Sequence, residues 1–344
     1  MGEKVNTQKN NTLELLKLFA SYMVVFIHVL FYGKLGNVVD ALARFAVPFF
    51  FLVSGYYSYQ ITCKKIKKRI INILTLLMLS AVCCTIFEII ILLKYNMNGL
   101  SALFNKYTDL STYVHLLVFN VPIVSGHLWY LFAAIYVYVV FYFAVKFHIK
   151  EKVIFIMSLF LLLLHIFLGE VLSIFGIVLP IYFVRNFVLT GLPFFALGLF
   201  VKKYEHKFRN VPNYMILVFV VLGTLETIAS RCFFGPNELY IGSLFVLAAI
   251  VCVFIKYADV KYPAFLTALE GCSTYIYIFH IMISTVICII YGVLGIDIYS
   301  SVIFVNLHPI IVCVSSTIFA YFFVKIMKKS GKNNIISHFA DILK

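Results

Sequence analysis

Long apolar runs follow one another along almost the entire chain, and short polar segments separate them. A helix needs about 20 apolar residues to cross the hydrocarbon core of a bilayer, so this pattern predicts about ten transmembrane spans. The predicted spans are residues 13–32, 41–59, 70–93, 127–146, 153–170, 180–201, 213–230, 239–256, 272–292 and 301–326. The connection 94–126 is predicted to be a loop that contains an interfacial or re-entrant helix. The pattern therefore indicates an all-α integral membrane protein, built as a bundle of about ten helices.

The composition agrees with a membrane protein. Hydrophobic residues make up 63% of the chain and charged residues 12%, whereas a typical soluble domain carries about 25% charged residues. The eight cysteines are scattered, mostly in apolar runs, and they form neither a C-x-x-C pair nor a Cys/His cluster with zinc spacing. We therefore expect small buried thiols and no metal site.

The net charge of +14 is explained by membrane topology. If the N-terminus lies in the cytoplasm, most Lys and Arg residues fall in the inner loops and tails, including the basic run Lys64–Arg69. This distribution is the positive-inside pattern, and it predicts that both termini are cytoplasmic. We expect one transmembrane domain, 1–344, with short tails at 1–11 and 327–344. Nucleic acid is not an expected partner; the lipid bilayer is.

The first span carries ionisable residues on one face. Lys17 and His28 are separated by three helical turns plus about 20°, and therefore lie on the same face roughly 16 Å apart. Glu14 and Ser21 fall near the same line. Because such groups are costly inside a bilayer, the stripe indicates an interior path or site. The alternatives are snorkelling of Glu14 and Lys17 with a core histidine, and close helix packing at Ser21 in place of a passage.

Other polar residues fall at the predicted outer ends of further spans. They are Arg44, His127, Trp129, Tyr130, Glu170, Arg185, Glu226 and Arg231. Isolated charges at this depth are tolerated when they face one another or a water-filled cavity, so these residues predict a shared site. Several alternatives stay open: basic residues that contact lipid phosphates, an aromatic belt at Trp129 and Tyr130, a surface position for His127, and structural ion pairs between the glutamates and Arg185.

A predicted inner set lies nearer the cytoplasmic surface and consists of Lys17, Ser54, Arg69 and His280. The basic run Lys64–Arg69 would attract a phosphorylated cytosolic donor, although it also serves topology. His280 is either part of the site or an ordinary core histidine.

These motifs resemble the membrane acyltransferase family 3 over nearly the whole chain. The matching segments are Glu14–Lys17 followed by His28, Arg44–Tyr56, His127–Leu131, Arg185–Asn186 with Gly191–Gly198, and Ile276–His280. The first of them resembles the Arg-x10-His signature of the family, with Lys17 at the arginine position. Lysine keeps the charge but lacks the planar fork that binds a phosphate or carboxylate through two parallel hydrogen bonds.

The resemblance implies an integral-membrane O-acyltransferase of the bacterial plasma membrane. The expected reaction moves an acyl group, commonly acetyl, from cytosolic acyl-CoA to a hydroxyl of a cell-envelope polysaccharide or lipid-linked sugar. Acyl-CoA is then a donor substrate, and no bound cofactor is expected. The alternative is a transport module for a small amino acid such as serine, as in the membrane halves of vancomycin-resistance serine racemases.

Roles follow for the candidate residues under this interpretation. His28 would act as general base or transient acyl carrier, because imidazole titrates in the useful range. Arg44 and Arg185 would stabilise acceptor anions or the developing oxyanion. Glu14 would orient Lys17, which with Arg69 would bind the phosphates of the donor. The remaining substrate-binding candidates are Ser54, His127, Trp129, Tyr130, Glu226 and His280.

Overall fold

The computed structural model describes residues 10–95, 98–297 and 300–330, and their secondary structure is helical without strands. The α-helices are α1 (Asn11–His28), α2 (Gly33–Ala43), α3 (Ala46–Tyr56), α4 (Cys63–Tyr95), α5 (Asn98–Thr108), α6 (Leu110–Phe119), α7 (Trp129–Lys146), α8 (Glu151–Ile166), α9 (Leu172–Ile174), α10 (Ile181–Val184), α11 (Leu192–Lys203), α12 (Glu205–Arg209), α13 (Asn213–Phe234), α14 (Ile241–Lys256), α15 (Ala264–Thr267), α16 (Cys272–Val293) and α17 (Val302–Ser330). A 3₁₀ turn at Gly126–Leu128 precedes α7, and π-helical turns lie at Phe167–Val171 and Phe187–Gly191.

Seven helical stretches of the described residues are long and apolar enough to cross a membrane. They are Gly33–Tyr56, Cys63–Tyr95, Gly126–Lys146, Glu151–Ile174, Asn213–Phe234, Cys272–Val293 and Val302–Met327. The all-helical membrane fold is therefore confirmed, while the count of ten spans and the cytoplasmic termini stay predictions. The other three predicted spans correspond to shorter or more polar helices. Glu14 and Lys17 interrupt the apolar run of α1, α14 has 16 residues, and the sixth span is broken.

Two predicted boundaries in the first third of the chain are wrong. The first span was expected to continue to residue 32, but α1 ends at His28, and the chain turns over the next four residues into α2. The 94–126 connection was expected to be a loop with one interfacial helix. In the structure it contains α5 and α6, which Asp109 separates by capping the second of them. His28 consequently lies at a helix end, next to a turn of the backbone.

The sixth predicted span is interrupted at Arg185 and Asn186. After the short α10, Asn186 is extended, and its side-chain oxygen accepts hydrogen bonds from the amides of Val188 and Leu189. Its side-chain nitrogen donates to the carbonyls of Tyr182 and Phe183. An asparagine side chain can replace backbone partners in this way, which stabilises a break inside an apolar segment. The break directs the chain so that Arg185 lies at the end of a short helix.

Two glycines bring α3 and α11 into direct backbone contact. A Cβ atom at Gly55 would lie 1.8 Å from the carbonyl oxygen of Phe195, and one at Gly198 would lie 1.9 Å from that of Leu52. Small residues permit this close approach of helices in membranes. Both helices contribute buried side chains to the main hydrophobic cluster, such as Phe49 of α3 and Phe194 of α11, and α1 and α7 contribute to the same cluster. This core supports the cavity described below.

Candidate active site

A cavity that is partly open to solvent lies where α1, α3, α7, α8 and the broken sixth span meet. Its lining consists of Val24, Ile27, His28, Arg44, Val47, Pro48, His127, Trp129, His165, Arg185, Thr190, Glu238 and Tyr277. Five of the predicted site residues are therefore brought together: His28, Arg44, His127, Trp129 and Arg185. Such a concave site with a few convergent polar groups is the usual form of a ligand pocket.

Three histidines form the centre of this region. The ring centroid of His28 lies 6.3 Å from that of His127 and 5.3 Å from that of His280, and the last two are 5.1 Å apart. His28 is exposed, whereas His127 and His280 are buried behind it. The accessible imidazole therefore belongs to His28, as expected for the residue that meets a substrate.

His280 was assigned to the inner set with Lys17, and this placement is wrong. The structure places it beside His28 and His127. Counting residues from the start of a span gives the correct depth when all helices begin in one plane and share one tilt, and helices in membranes differ in both. The ring nitrogen Nδ1 of His280 lies 2.8 Å from the carbonyl oxygen of Tyr277, while Nε2 is buried without a partner among the described residues.

His127 is held by contacts to two other segments. Its Nε2 lies 3.0 Å from the carbonyl oxygen of Ile278, and its Nδ1 lies 3.0 Å from the hydroxyl of Ser125. The hydroxyl of Tyr277 donates a hydrogen bond to the His127 carbonyl. Because a carbonyl only accepts, Nε2 carries the proton in the neutral ring and Nδ1 accepts from Ser125. The surface position considered for His127 is therefore wrong, and the ring supports the wall behind His28.

Arg44 is paired with two carboxylates. Its guanidinium nitrogens lie 2.6 Å from Asp40, one turn earlier on α2, and 2.7 Å from Glu238, which precedes α14. All three side chains are less than one-fifth exposed. An arginine that contacts lipid phosphates would be expected to leave its charge unpaired, so the structure disfavours that alternative. Arg44 fixes Glu238 in the cavity lining. Because one guanidinium is paired with two carboxylates, this cluster carries a net negative charge.

Arg185 has a different environment. Its guanidinium carbon lies 5.6 Å from the centroid of the Trp129 ring, a cation–π geometry, and no ion pair joins it to a carboxylate within the described residues. Trp129 is buried, so it is not part of a lipid-facing aromatic belt. The positive charge of Arg185 is thus available to an anion in the cavity.

Tyr130 packs among other rings and is not among the residues that line the cavity. Its ring centroid lies 4.7 Å from that of Phe51 and 5.7 Å from that of Tyr277. The ring therefore positions Tyr277, which does line the cavity.

His165, Asp40 and Glu238 belong to this region and were not predicted from the sequence. His165 is almost fully buried at the end of α8, and its Nδ1 lies 2.9 Å from the carbonyl oxygen of Leu189. The rule that flags ionisable residues inside apolar runs would have found His165. The spacing of four residues between Asp40 and Arg44 is a helical pairing signal. Glu238 lies 194 positions after Arg44, and no local pattern indicates their contact.

The predicted inner residues lie outside the cavity lining. Lys17 forms an ion pair of 2.5 Å with Glu14, as expected for an orienting carboxylate. Arg69 donates to the hydroxyl of Ser58 and to the carbonyl of Tyr57. The Ser54 carbonyl accepts from the Ser58 hydroxyl, which joins these residues in one network. The roles of Lys17, Arg69 and Ser54 toward a donor stay predictions.

The face between Lys17 and His28 is packed. Ser21 is fully buried, its hydroxyl donates to the carbonyl of Leu18, and the neighbouring Ala20 is also fully buried. The close-packing alternative for Ser21 is the one observed, and an open passage along this face is not.

Glu226 and Glu170 lie at the N-terminus of α14, apart from the cavity lining. The amide of Ile241 donates to Glu170, and that of Gly242 donates to Glu226. The hydroxyl of Ser230 also donates to Glu170. Carboxylates are stabilised at a helix N-terminus by the free amides and the helix dipole. These glutamates therefore hold α13 and α14 together, and the alternative of a structural ion pair with Arg185 is not observed. A substrate-binding role for Glu226 stays a prediction.

The described residues contain no group of three or more His, Cys, Asp or Glu side chains arranged to hold a metal ion.

The fold and the cavity define a polytopic helical membrane protein with a histidine-centred site. The family model Acyl_transf_3, described as an acyltransferase domain, matches residues 10–325. The chain therefore belongs to acyltransferase family 3, as its motifs indicated, and this membership implies acyltransferase activity. Searches of curated proteins and of solved structures gave no match.

Proposed function

We propose that this protein is an O-acyltransferase of the bacterial plasma membrane. It transfers an acyl group, acetyl in the first instance, from cytosolic acyl-CoA to a hydroxyl of a cell-envelope polysaccharide or lipid-linked sugar. The observation that carries the proposal is the exposed imidazole of His28 in a cavity that is also lined by two arginines and by His127 and His165. Family membership supports the reaction class.

His28 supplies the base that the reaction needs. A hydroxyl is a weak nucleophile at neutral pH, and a positioned imidazole raises its reactivity by removing its proton as the new bond forms. The acceptor oxygen attacks the thioester carbonyl carbon, and the proton passes to His28. The resulting oxyanion collapses, the carbon–sulfur bond breaks, and the leaving CoA sulfur takes the proton from His28. The products are the acyl ester and CoA, and His28 is neutral again.

Arg185 stabilises the negative charge of that intermediate or an anionic group of the acceptor. Its guanidinium is held against Trp129 and is unpaired with carboxylates in the described part of the chain. A cation that is already fixed in position stabilises a developing oxyanion better than one in bulk water, because it does not have to reorganise during the reaction. Arg44 acts through Glu238, whose carboxylate it holds at the cavity.

The donor approaches from the side of the basic run at the start of α4. Lys64, Lys65, Lys67 and Lys68 are exposed there, within the first two turns of the helix. Exposed lysines near a membrane attract polyphosphates such as the phosphate groups of CoA. Lys17 and Arg69 are the further candidates for that interaction.

The proposal is tested with membranes from cells that express the protein and from cells that carry an empty vector. Both are incubated with acetyl-CoA labelled in the acetyl group, and label in the envelope glycan and lipid fractions is counted. We expect label in a hydroxylamine-sensitive ester only when the protein is present, and mass spectrometry of the labelled fraction identifies the acceptor. Serine uptake that depends on the protein, without consumption of acyl-CoA, would refute the enzyme and favour the transporter.

A further inference from the structure

His165 has one satisfied and one unsatisfied ring nitrogen. The Nδ1 atom lies 2.9 Å from the carbonyl oxygen of Leu189, so in the neutral ring Nδ1 carries the proton and donates it there. The Nε2 atom then presents a lone pair, and it is buried without a partner among the described residues. Buried polar atoms are rarely left unpaired, and an exception inside a ligand cavity indicates the position of a ligand atom.

The surroundings of His165 fix its ring. Thr190 lies beside it on the π-helical turn Phe187–Gly191, and its hydroxyl donates to the carbonyl of Val184. The oxygen of that hydroxyl lies 3.5 Å from Nδ1 of His165, so Thr190 does not supply a partner for Nε2. A second π-helical turn, Phe167–Val171, begins two residues after His165. Such turns inside helices are frequent at functional sites, and here they place Leu189 opposite the histidine.

Resting on the proposed function, we infer that His165 binds a second hydroxyl of the acceptor, one that is not acylated. Its Nε2 accepts a hydrogen bond from that hydroxyl, while the hydroxyl to be acylated faces His28. Glu238 lines the same cavity and offers a further acceptor atom for hydroxyl groups. The substrate class is therefore a polyhydroxylated molecule such as a sugar, as opposed to a simple alcohol.

Two amide substitutions separate this role from a structural one. In His165→Asn the side-chain amide reaches the position of Nδ1, so the hydrogen bond to Leu189 is kept and the acceptor at Nε2 is lost. In His165→Gln the amide oxygen reaches the position of Nε2, so the acceptor is kept and the bond to Leu189 is lost. Transfer of labelled acetyl from acetyl-CoA to envelope material is measured for both variants in membranes. The amount of folded protein is measured by size-exclusion chromatography in detergent.

We expect His165→Asn to be folded and to transfer acetyl at least about 10-fold more slowly than the wild type. A decrease in rate of this size is expected because one hydrogen bond to the substrate is lost and its partner is left unpaired. His165→Gln should stay within about threefold of the wild-type rate when normalised to folded protein, and the KM for acetyl-CoA should be unchanged in both. Full activity in His165→Asn, or equal loss in both folded variants, would overturn the inference. If wild-type membranes transfer no label at all, the proposed function itself fails.

Discussion

Arg44 and Arg185 carry the same charge at the same cavity, but they have opposite surroundings. Arg44 is held between Asp40 and Glu238, whereas Arg185 lies over the ring of Trp129. The first arginine is therefore expected to matter for folding and the second for catalysis.

Replacement of Arg44 by Gln should destabilise the protein. It leaves Asp40 and Glu238 as uncompensated carboxylates, and removal of one partner of a buried ion pair costs about 3–5 kcal/mol. Arg209→Gln is the matched control, because Arg209 pairs with Glu205 at the same helical spacing on an exposed surface. The free energy of unfolding of Arg209→Gln should decrease by about 0–1 kcal/mol. The two variants are compared by the temperature at which detergent-solubilised protein aggregates. Equal values for both would show that the buried cluster is not stabilising.

Replacement of Arg185 by Gln should leave a folded protein with little activity. Loss of one group that stabilises an oxyanion lowers turnover by about 10²–10³-fold. Lys202→Gln is the control, because Lys202 lies 4.7 Å from the ring centroid of Tyr56, a comparable contact away from the cavity. Acetyl transfer per folded molecule is the readout. An Arg185→Gln enzyme as active as the Lys202→Gln enzyme would remove Arg185 from the mechanism.

For individual residues, the sequence predicted the site where a polar side chain would be energetically unfavourable inside a membrane. His28, His127 and Arg185 were identified because each interrupts an apolar run, and the structure places all three at one cavity. Glu238 was missed because it lies in a connection and gains its role through a contact with distant Arg44. A local sequence pattern shows that a charged residue falls within an apolar run. It does not show which distant residue will pair with that charge.

At the scale of helices, the α3–α11 contact determines how closely the elements beneath the cavity approach. Gly55→Ala and Gly198→Ala would each place a methyl group within 2 Å of a carbonyl oxygen on the opposite helix. Forcing such groups into a packed core costs about 1–3 kcal/mol or more, since the backbones must separate.

We expect both variants to show a reduced yield of folded protein and a lower aggregation temperature. Gly292→Ala is the control, because a Cβ atom at that helical position would meet nothing within 4 Å beyond its chain neighbours and the backbone of its own helix. It should behave like the wild type. Wild-type stability in Gly55→Ala would show that α3 and α11 are not in direct backbone contact.

Helices were predicted well where apolar runs were long, and less well where side chains replace backbone hydrogen bonds. The seven long spans follow directly from the length of their runs. The break at Asn186 was missed, because an asparagine inside an apolar run does not by itself show that its side chain will bond to Val188 and Leu189. The break nevertheless gives Arg185 its position.

For the molecule as a whole, the orientation in the membrane decides from which side the proposed donor and the proposed acceptor would reach the protein. The basic residues predict cytoplasmic termini. Single cysteines at Lys34 or Asn105 should react with a membrane-impermeant thiol reagent in intact cells, whereas those at Lys67 or Lys207 should not. All four positions are exposed.

The experiment uses a parent in which Cys83, Cys232 and Cys288 are replaced by Ser, because these three thiols are exposed and the expectation that they are buried is wrong. Permeabilised cells provide the control, since all four cysteines should then react. Labelling of the Lys67 and Lys207 positions from outside would reverse the orientation, and the donor approach proposed from the basic run of α4 would then be wrong.

Acyl transfer that depends on His28 is the central claim, and His28→Ala tests it most directly. Wild type, His28→Ala and His206→Ala are compared in membranes with labelled acetyl-CoA, each normalised to folded protein. His206 is an exposed histidine on α12, outside the cavity lining. Loss of a general base lowers the rate by about 10²–10⁴-fold, so His28→Ala should retain about 1% of the activity or less, and His206→Ala should match the wild type. Unchanged transfer in His28→Ala would contradict the mechanism.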